Sequence, residues 1–161
     1  MIDYTEMLSR LTAAMLIGCI IGLDRNLHGK PTSIKTLGLV ALGSALVTMT
    51  TLDYTYDHGR IDVTALSHTI QGIITGIGFL GAGVIVHDRN EQVKGLTTAA
   101  SIWVTAALGI VCGIGEWRTA GTAVILLFVL FFVGRPLERM LHRRWLAKPE
   151  DEQRDTAVHE E

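Results

Sequence analysis

The fold class this sequence predicts is all-α: a polytopic membrane helix bundle of about five transmembrane helices, N-terminus outside and C-terminus cytoplasmic. Three observations predict it. The chain of 161 residues is 48% hydrophobic and 19% charged, with mean hydropathy +0.36. Its charges are absent from five long stretches, and its cations divide unevenly between alternate connections. The stretches are Leu11 to Leu23, Thr36 to Leu52, Val63 to Val86, Gly95 to Gly115 and Thr119 to Gly134, none of which contains Asp, Glu, Lys or Arg. A water-soluble helical domain threads charge through every amphipathic helix, so this pattern excludes a soluble enzyme or a nucleic-acid-binding module.

A hydrocarbon core about 30 Å thick takes about 20 residues of helix. The third and fourth stretches have that length unaided, and the others need flanking residues that snorkel. The first, extended back to Tyr4, takes in Glu6 and Arg10, which belong near the headgroups. Before it, Asp3 and Glu6 without a cation make Met1 to Met7 unlike a secretory leader, so the start is expected to be uncleaved. Placing the Arg25/Lys30, Arg89/Lys94 and C-terminal segments on one face gathers every Lys and Arg except Arg10, Arg60 and Arg118 there. That face is the cytoplasmic one by the positive-inside rule. The outer face then carries Asp3, Glu6, Asp53, Asp57, Asp62 and Glu116 and is acidic.

Three segments follow from this reading. Residues 1–134 form the transmembrane domain. Residues 135–148 form a basic segment in which Leu137, Met140, Leu141 and Trp145 recur at helical spacing among Arg135, Arg139, Arg143 and Arg144, as in a helix lying on an anionic leaflet or a stop-transfer tail. Residues 149–161 form an acidic tail with the composition of disorder. Cys19 and Cys112 fall at depths too different for a disulfide.

Gly18/Gly22, Gly72/Gly76 and Gly109/Gly113 each form a G-x-x-x-G pair, the spacing that lets membrane helices approach closely. Packing within one chain is favoured over a homodimer, which stays open. Gly76-Ile-Gly78-Phe-Leu-Gly81 matches the dinucleotide fingerprint formally, but its place inside an apolar run removes the strand and the water-facing helix start that nucleotide binding needs. Gly76, Gly78, Gly81 and Gly83 weaken a helix, which leaves either a break of the kind that lines transport sites or tight packing; a mostly unbroken helix is expected.

At the cytoplasmic ends of the first four spans fall Asp24, Arg25, Lys30, Lys35, Thr36, Asp88, Arg89, Lys94, Thr97 and Thr98, which converge on one polar mouth in this topology. The two threonines that open span four are adequately explained as caps of exposed N–H groups. Asp24 and Asp88 are the candidate Mg²⁺ ligands, with ion pairs to the neighbouring Arg25 and Arg89 as the competing reading. No acid stands at mid-span, which counts against transport. His68 and His87 lack the spacing of a metal site, and the serines and cysteines have no nucleophile context, so no enzyme is expected. No cofactor is expected; Mg²⁺ is the one candidate ion.

Four blocks carry a resemblance: Ile17 to Arg25 (IGCIIGLDR), Lys35 to Gly43 (KTLGLVALG), Gly76 to Ile85 (GIGFLGAGVI) and Val93 to Trp103 (VKGLTTAASIW). In order and spacing they resemble the MgtC/SapB family of bacterial membrane proteins, over roughly Leu16 to Gly115. The resemblance implies a multi-pass protein of the bacterial inner membrane, linked to growth in low Mg²⁺ or survival in macrophages, and in some members to restraint of the F-type ATP synthase. The family's first block usually reads Glu-Arg where this chain has Asp24-Arg25, and its G-L-R-T is replaced by Ser33-Ile34-Lys35-Thr36. A Lys does not reproduce the planar bidentate fork of an Arg. The soluble C-terminal domain of the virulence proteins is not expected in the residues after Gly134.

The function expected is therefore non-enzymatic support of adaptation to low Mg²⁺ or acid stress, through a membrane partner such as the ATP synthase or through ion balance. A Mg²⁺ transporter or channel is the first alternative, and a structural membrane partner the second. Beyond the lipid bilayer and a membrane protein, no nucleic acid is expected as a partner.

Overall fold

The structure is a computed structural model and describes residues 2–30, 32–56, 62–87 and 93–146. Five helices follow one another: α1 Tyr4–Leu27, α2 Ile34–Thr55, α3 Val63–Val84, α4 Leu96–Ile114 and α5 Trp117–Leu146. All five have the length and apolarity to cross a membrane. Between α3 and α4, two-residue strands β1 (Val86–His87) and β2 (Val93–Lys94) pair antiparallel, Val86 opposite Lys94. The sequence reading carried Val86 into the third apolar stretch; here the helix ends at Val84.

The chain divides into a unit of residues 1–121 and a second of 122–161. In the first unit α2 is the centre, packed on α1 along one side and on α4 along the other. Small side chains make this possible. Ala14, Ala41, Ala45 and Cys112 are fully buried, with Ala120 beside them. A Cβ on Gly22 would stand 2.6 Å from the Ile34 Cα, and one on Gly113 would stand 2.7 Å from the Ala45 carbonyl oxygen. A Cβ on Gly18 would lie 2.9 Å from the Ala41 Cβ, and one on Gly109 would lie 2.9 Å from the Ser44 Cβ. Lipid tails are as apolar as the helices, so such close backbone approach supplies the packing energy that the hydrophobic effect supplies in water.

Local chemistry sets the helix ends. Ser33 caps α2 by accepting from the Thr36 N–H at 3.3 Å. Asp62 caps α3 by accepting from the Thr64 and Ala65 N–H groups at 2.9 and 3.1 Å. Gly115 (φ +89°) closes α4 in the left-handed region, its N–H donating to the Val111 and Cys112 carbonyls while the Glu116 N–H donates to Val111. The cap of α4 differs from expectation: it is Gly95 (φ +98°), with no side-chain cap bond, so the opening threonines are free for another role. A Cβ at Gly95 would also lie 2.9 Å from the Val84 carbonyl carbon, so that turn requires glycine twice over.

In α5 the helix runs through Pro136 to Leu146. The basic segment expected to begin after Gly134 is continuous as far as Leu146 with the fifth apolar stretch. Pro136 removes one backbone donor, and the Leu, Glu, Arg and Met that follow it are good helix formers. The acidic tail at 149–161 lies outside the described residues.

Candidate functional site

α1 and α4 run antiparallel, so the C-terminal turn of α1 lies beside the N-terminal turns of α4, and hydroxyl-bearing side chains face a guanidinium there. Arg25 stands in the last turn of α1 and is 5% exposed. Its Nε donates to the Thr32 Oγ1 at 2.6 Å, just beyond the helix. Its Nη1 donates to the Ser101 Oγ at 2.8 Å and the Thr97 carbonyl at 3.3 Å, and its Nη2 donates to the Thr98 Oγ1. Ser101 in turn donates to the Thr97 carbonyl at 2.7 Å, so the guanidinium, a hydroxyl and a helix carbonyl form one relay. Thr32, Thr98 and Ser101 are themselves buried.

In this node a buried cation meets four neutral oxygens among its partners, and the planar fork of Arg is what reaches three hydroxyls from one side chain. The charge also complements the negative end of its own helix dipole. The arrangement ties α1, the 28–33 connection and the start of α4 together at one end of the unit.

Around the node, the expected mouth residues separate. Asp24 is half-buried, its carboxylate 3.8 Å from the His28 Nδ1, which also meets the Asp24 carbonyl oxygen at 2.6 Å. Lys35, Thr36 and Lys94 are exposed, Thr36 sharing a hydroxyl bond with Ser33 at 3.1 Å. Asp88 and Arg89 lie outside the described residues. Among the described residues no three His, Cys, Asp or Glu side chains gather as a metal would require. Asp24 is thus the one candidate Mg²⁺ ligand that the structure describes.

Sequence reasoning named Arg25, Thr97 and Thr98 but missed Thr32, and weighed Ser101 only as a nucleophile. The signal was present in the spacing: Thr97 and Ser101 are one turn apart, so they share a helix face with Thr98 and Thr105. Thr105 extends that face, donating to the Ser101 carbonyl at 2.7 Å.

Of the helix-packing candidates, Gly18, Gly22, Gly109 and Gly113 lie against α2, and Gly81 faces the Ala99 Cβ at 3.7 Å. Within residues 1–121, Gly72, Gly76, Gly78 and Gly83 have open space where a Cβ would stand. α3 nevertheless runs unbroken from Val63 to Val84.

Comparison with known proteins places these features in a family. The MgtC family model matches residues 11–140. Protein SrpB of Synechococcus elongatus is 45% identical over 72% of this chain and 68% of its own length. Protein SapB of Bacillus subtilis is 40% identical over 80% of this chain and 55% of its own length. Protein MgtC of Salmonella typhimurium is 38% identical over 73% of this chain and 47% of its own length. The chain thus spans between about half and two thirds of the length of these curated relatives. No solved structure matches. With five apolar helices, a family model that matches residues 11–140 and relatives up to 45% identical, this multi-pass membrane protein belongs to the MgtC family.

Proposed function

We propose that this protein supports bacterial adaptation to low Mg²⁺ or acid stress from the inner membrane, acting on a membrane protein partner or on ion balance and not by catalysis. Membership of the MgtC family supports the physiological setting. The F-type ATP synthase is the partner that the family resemblance points to. The observation that carries the choice of a regulator over a transporter is α3, whose glycines leave it a single helix with its backbone bonded within itself. A transport site at mid-membrane needs unwound carbonyls or carboxylates, and the glycine-rich helix was the place for them.

In this reading the mouth is a contact surface held in shape by the arginine node. Arg25, Thr97 and Thr98 fix the ends of α1 and α4, while Asp24, Lys35, Thr36 and Lys94 meet the partner or a hydrated Mg²⁺. The test is growth in low Mg²⁺ of cells that depend on this protein. Asp24→Ala is expected to abolish growth rescue while membrane abundance stays at the wild-type level. Normal rescue by that variant would remove Asp24 from the site.

A further inference from the structure

α3 turns its polar side outward. Thr64, His68, Gln71, Thr75, Gly78 and Ala82 recur along it at alternating intervals of four and three, so they form one seam, and each of them is exposed. The other side carries Leu66, Ile70, Ile73 and Ile77, which are buried or half-buried where α3 meets α4 and α2. That distribution suits a helix in water. In a bilayer it is inverted, because lipid tails accept hydrocarbon without cost and offer a hydroxyl or an amide no partner. Gln71 and Thr75 lie within about 4 Å of the middle of this 22-residue helix, at about 1.5 Å per residue. Among the described residues no hydrogen bond reaches the side chains of His68, Gln71 or Thr75, whereas the neighbouring Thr69 shares one with Thr51 of α2 at 2.9 Å. An unpaired carboxamide at that depth costs free energy that a partner would recover.

We propose that this seam is the interface of a parallel homodimer, packed against the same seam of a second copy about a two-fold axis normal to the membrane. Such an axis sets identical residues opposite each other at the same depth. The seam is chemically complementary to itself. A carboxamide, a hydroxyl and a neutral imidazole each donate and accept, so Gln71 bonds Gln71 of the partner subunit reciprocally, and Thr75 and His68 pair in the same way. No Asp, Glu, Lys or Arg stands in it to meet a like charge. A protein of different sequence would have to supply matching groups at the same depths, which a second copy supplies by symmetry. The spacing is that of left-handed helix pairs, and a Cβ at Gly78 would meet nothing within 4 Å, which leaves room for a second backbone to close there. Dimerisation along α3 is independent of the partner-directed function proposed above, and its failure leaves that function standing.

The test uses the full chain in bacterial membranes, with single cysteines in a background lacking Cys19 and Cys112 and copper phenanthroline as oxidant. Thr75→Cys is expected to form a disulfide-linked dimer. Leu46→Cys, exposed near the middle of α2, is expected to stay monomeric and measures random collision. Cross-linking of Thr75→Cys no greater than that of Leu46→Cys overturns the proposal and leaves the face to lipid or to another helix of the same chain. Rapid reaction of Thr75→Cys with a membrane-impermeant thiol reagent also overturns it, since the seam would then line water. Gln71→Leu puts an apolar side chain where lipid would otherwise meet an amide, so its fold is expected to hold. It is expected to weaken association about tenfold, the scale of an interhelical amide bond, read as energy transfer between donor- and acceptor-labelled copies against protein density in vesicles. Gln71→Asn is expected to keep most of the association. Association unchanged in Gln71→Leu overturns the seam as the interface.

Discussion

Two arginines in α1 do opposite work at its two ends. Arg10 closes the C-terminus of α4, and Arg25 is held at the start of the same helix. Lys in place of Arg25 keeps the charge but loses the fork, so it cannot hold Thr32, Thr98 and Ser101 together. Arg25→Lys is therefore expected to lower stability by about 1–3 kcal/mol, the range for leaving buried polar groups unsatisfied, read as a lower unfolding temperature in detergent. An unchanged temperature would mean that the node carries no net stabilisation. A smaller effect belongs to Asp3, just outside α1, whose carboxyl is held below its ordinary value first by the Thr5 hydroxyl and then by the Tyr4 N–H. A depressed folded value means that the contribution is present above the ordinary carboxylate range and lost as pH falls through the depressed value. Thr5→Val is expected to move the Asp3 titration upward toward the ordinary value, followed by carboxyl carbon chemical shift. At this scale the sequence was partly legible. An Arg closing an apolar run is visible at once, but a hydroxyl inside one is ambiguous, since Thr48 and Thr105 bond only their own helix while Thr98 receives a bond from another.

At the scale of elements, the glycine pairs look alike in sequence and separate in structure. Those of α1 and α4 press on α2, and those of α3 do not, because G-x-x-x-G encodes a smooth surface without naming what lies against it. Gly109→Ala places a methyl against the Ala41 carbonyl and the Ser44 Cβ and is expected to cost about 1–3 kcal/mol by overpacking. Gly72→Ala meets no atom within residues 1–121 and is expected to be neutral or to gain up to about 1 kcal/mol of helix propensity. Unfolding of both variants in the same detergent checks the contrast; equal losses would show that the α3 glycines are packed as tightly as those of α4. Uncharged runs located all five helices but not their ends. α1 begins at Tyr4, ahead of its run, because Glu6 and Arg10 sit one turn apart and pair on the helix. α5 passes Gly134 and Pro136 and runs on to Leu146, beyond the point where Arg135 ends its uncharged run.

At the largest scale, within residues 1–121 the Ile2–Asp53 bond at 3.1 Å lies at one end of the bundle and the Arg25 node at the other. By the positive-inside rule the node is expected on the cytoplasmic side. Single cysteines at Lys35 and Tyr54, in a background lacking Cys19 and Cys112, test this with a membrane-impermeant thiol reagent applied to intact cells. Tyr54→Cys is expected to react and Lys35→Cys to stay protected; the reverse pattern would invert the topology. Membrane class was legible because charge exclusion from apolar runs is a property of composition. The family was legible only through the four blocks, and nothing in the periodicity distinguishes a regulator from a transporter. The central proposal, that this bundle acts on a membrane partner or on ion balance and moves no Mg²⁺ itself, is tested most directly by Mg²⁺ flux into sealed proteoliposomes containing an entrapped indicator under an imposed potential. Correctly folded protein is expected to give no more than the leak of empty vesicles. Saturable flux that disappears in Asp24→Ala would contradict the account and make the cytoplasmic mouth part of a transport path.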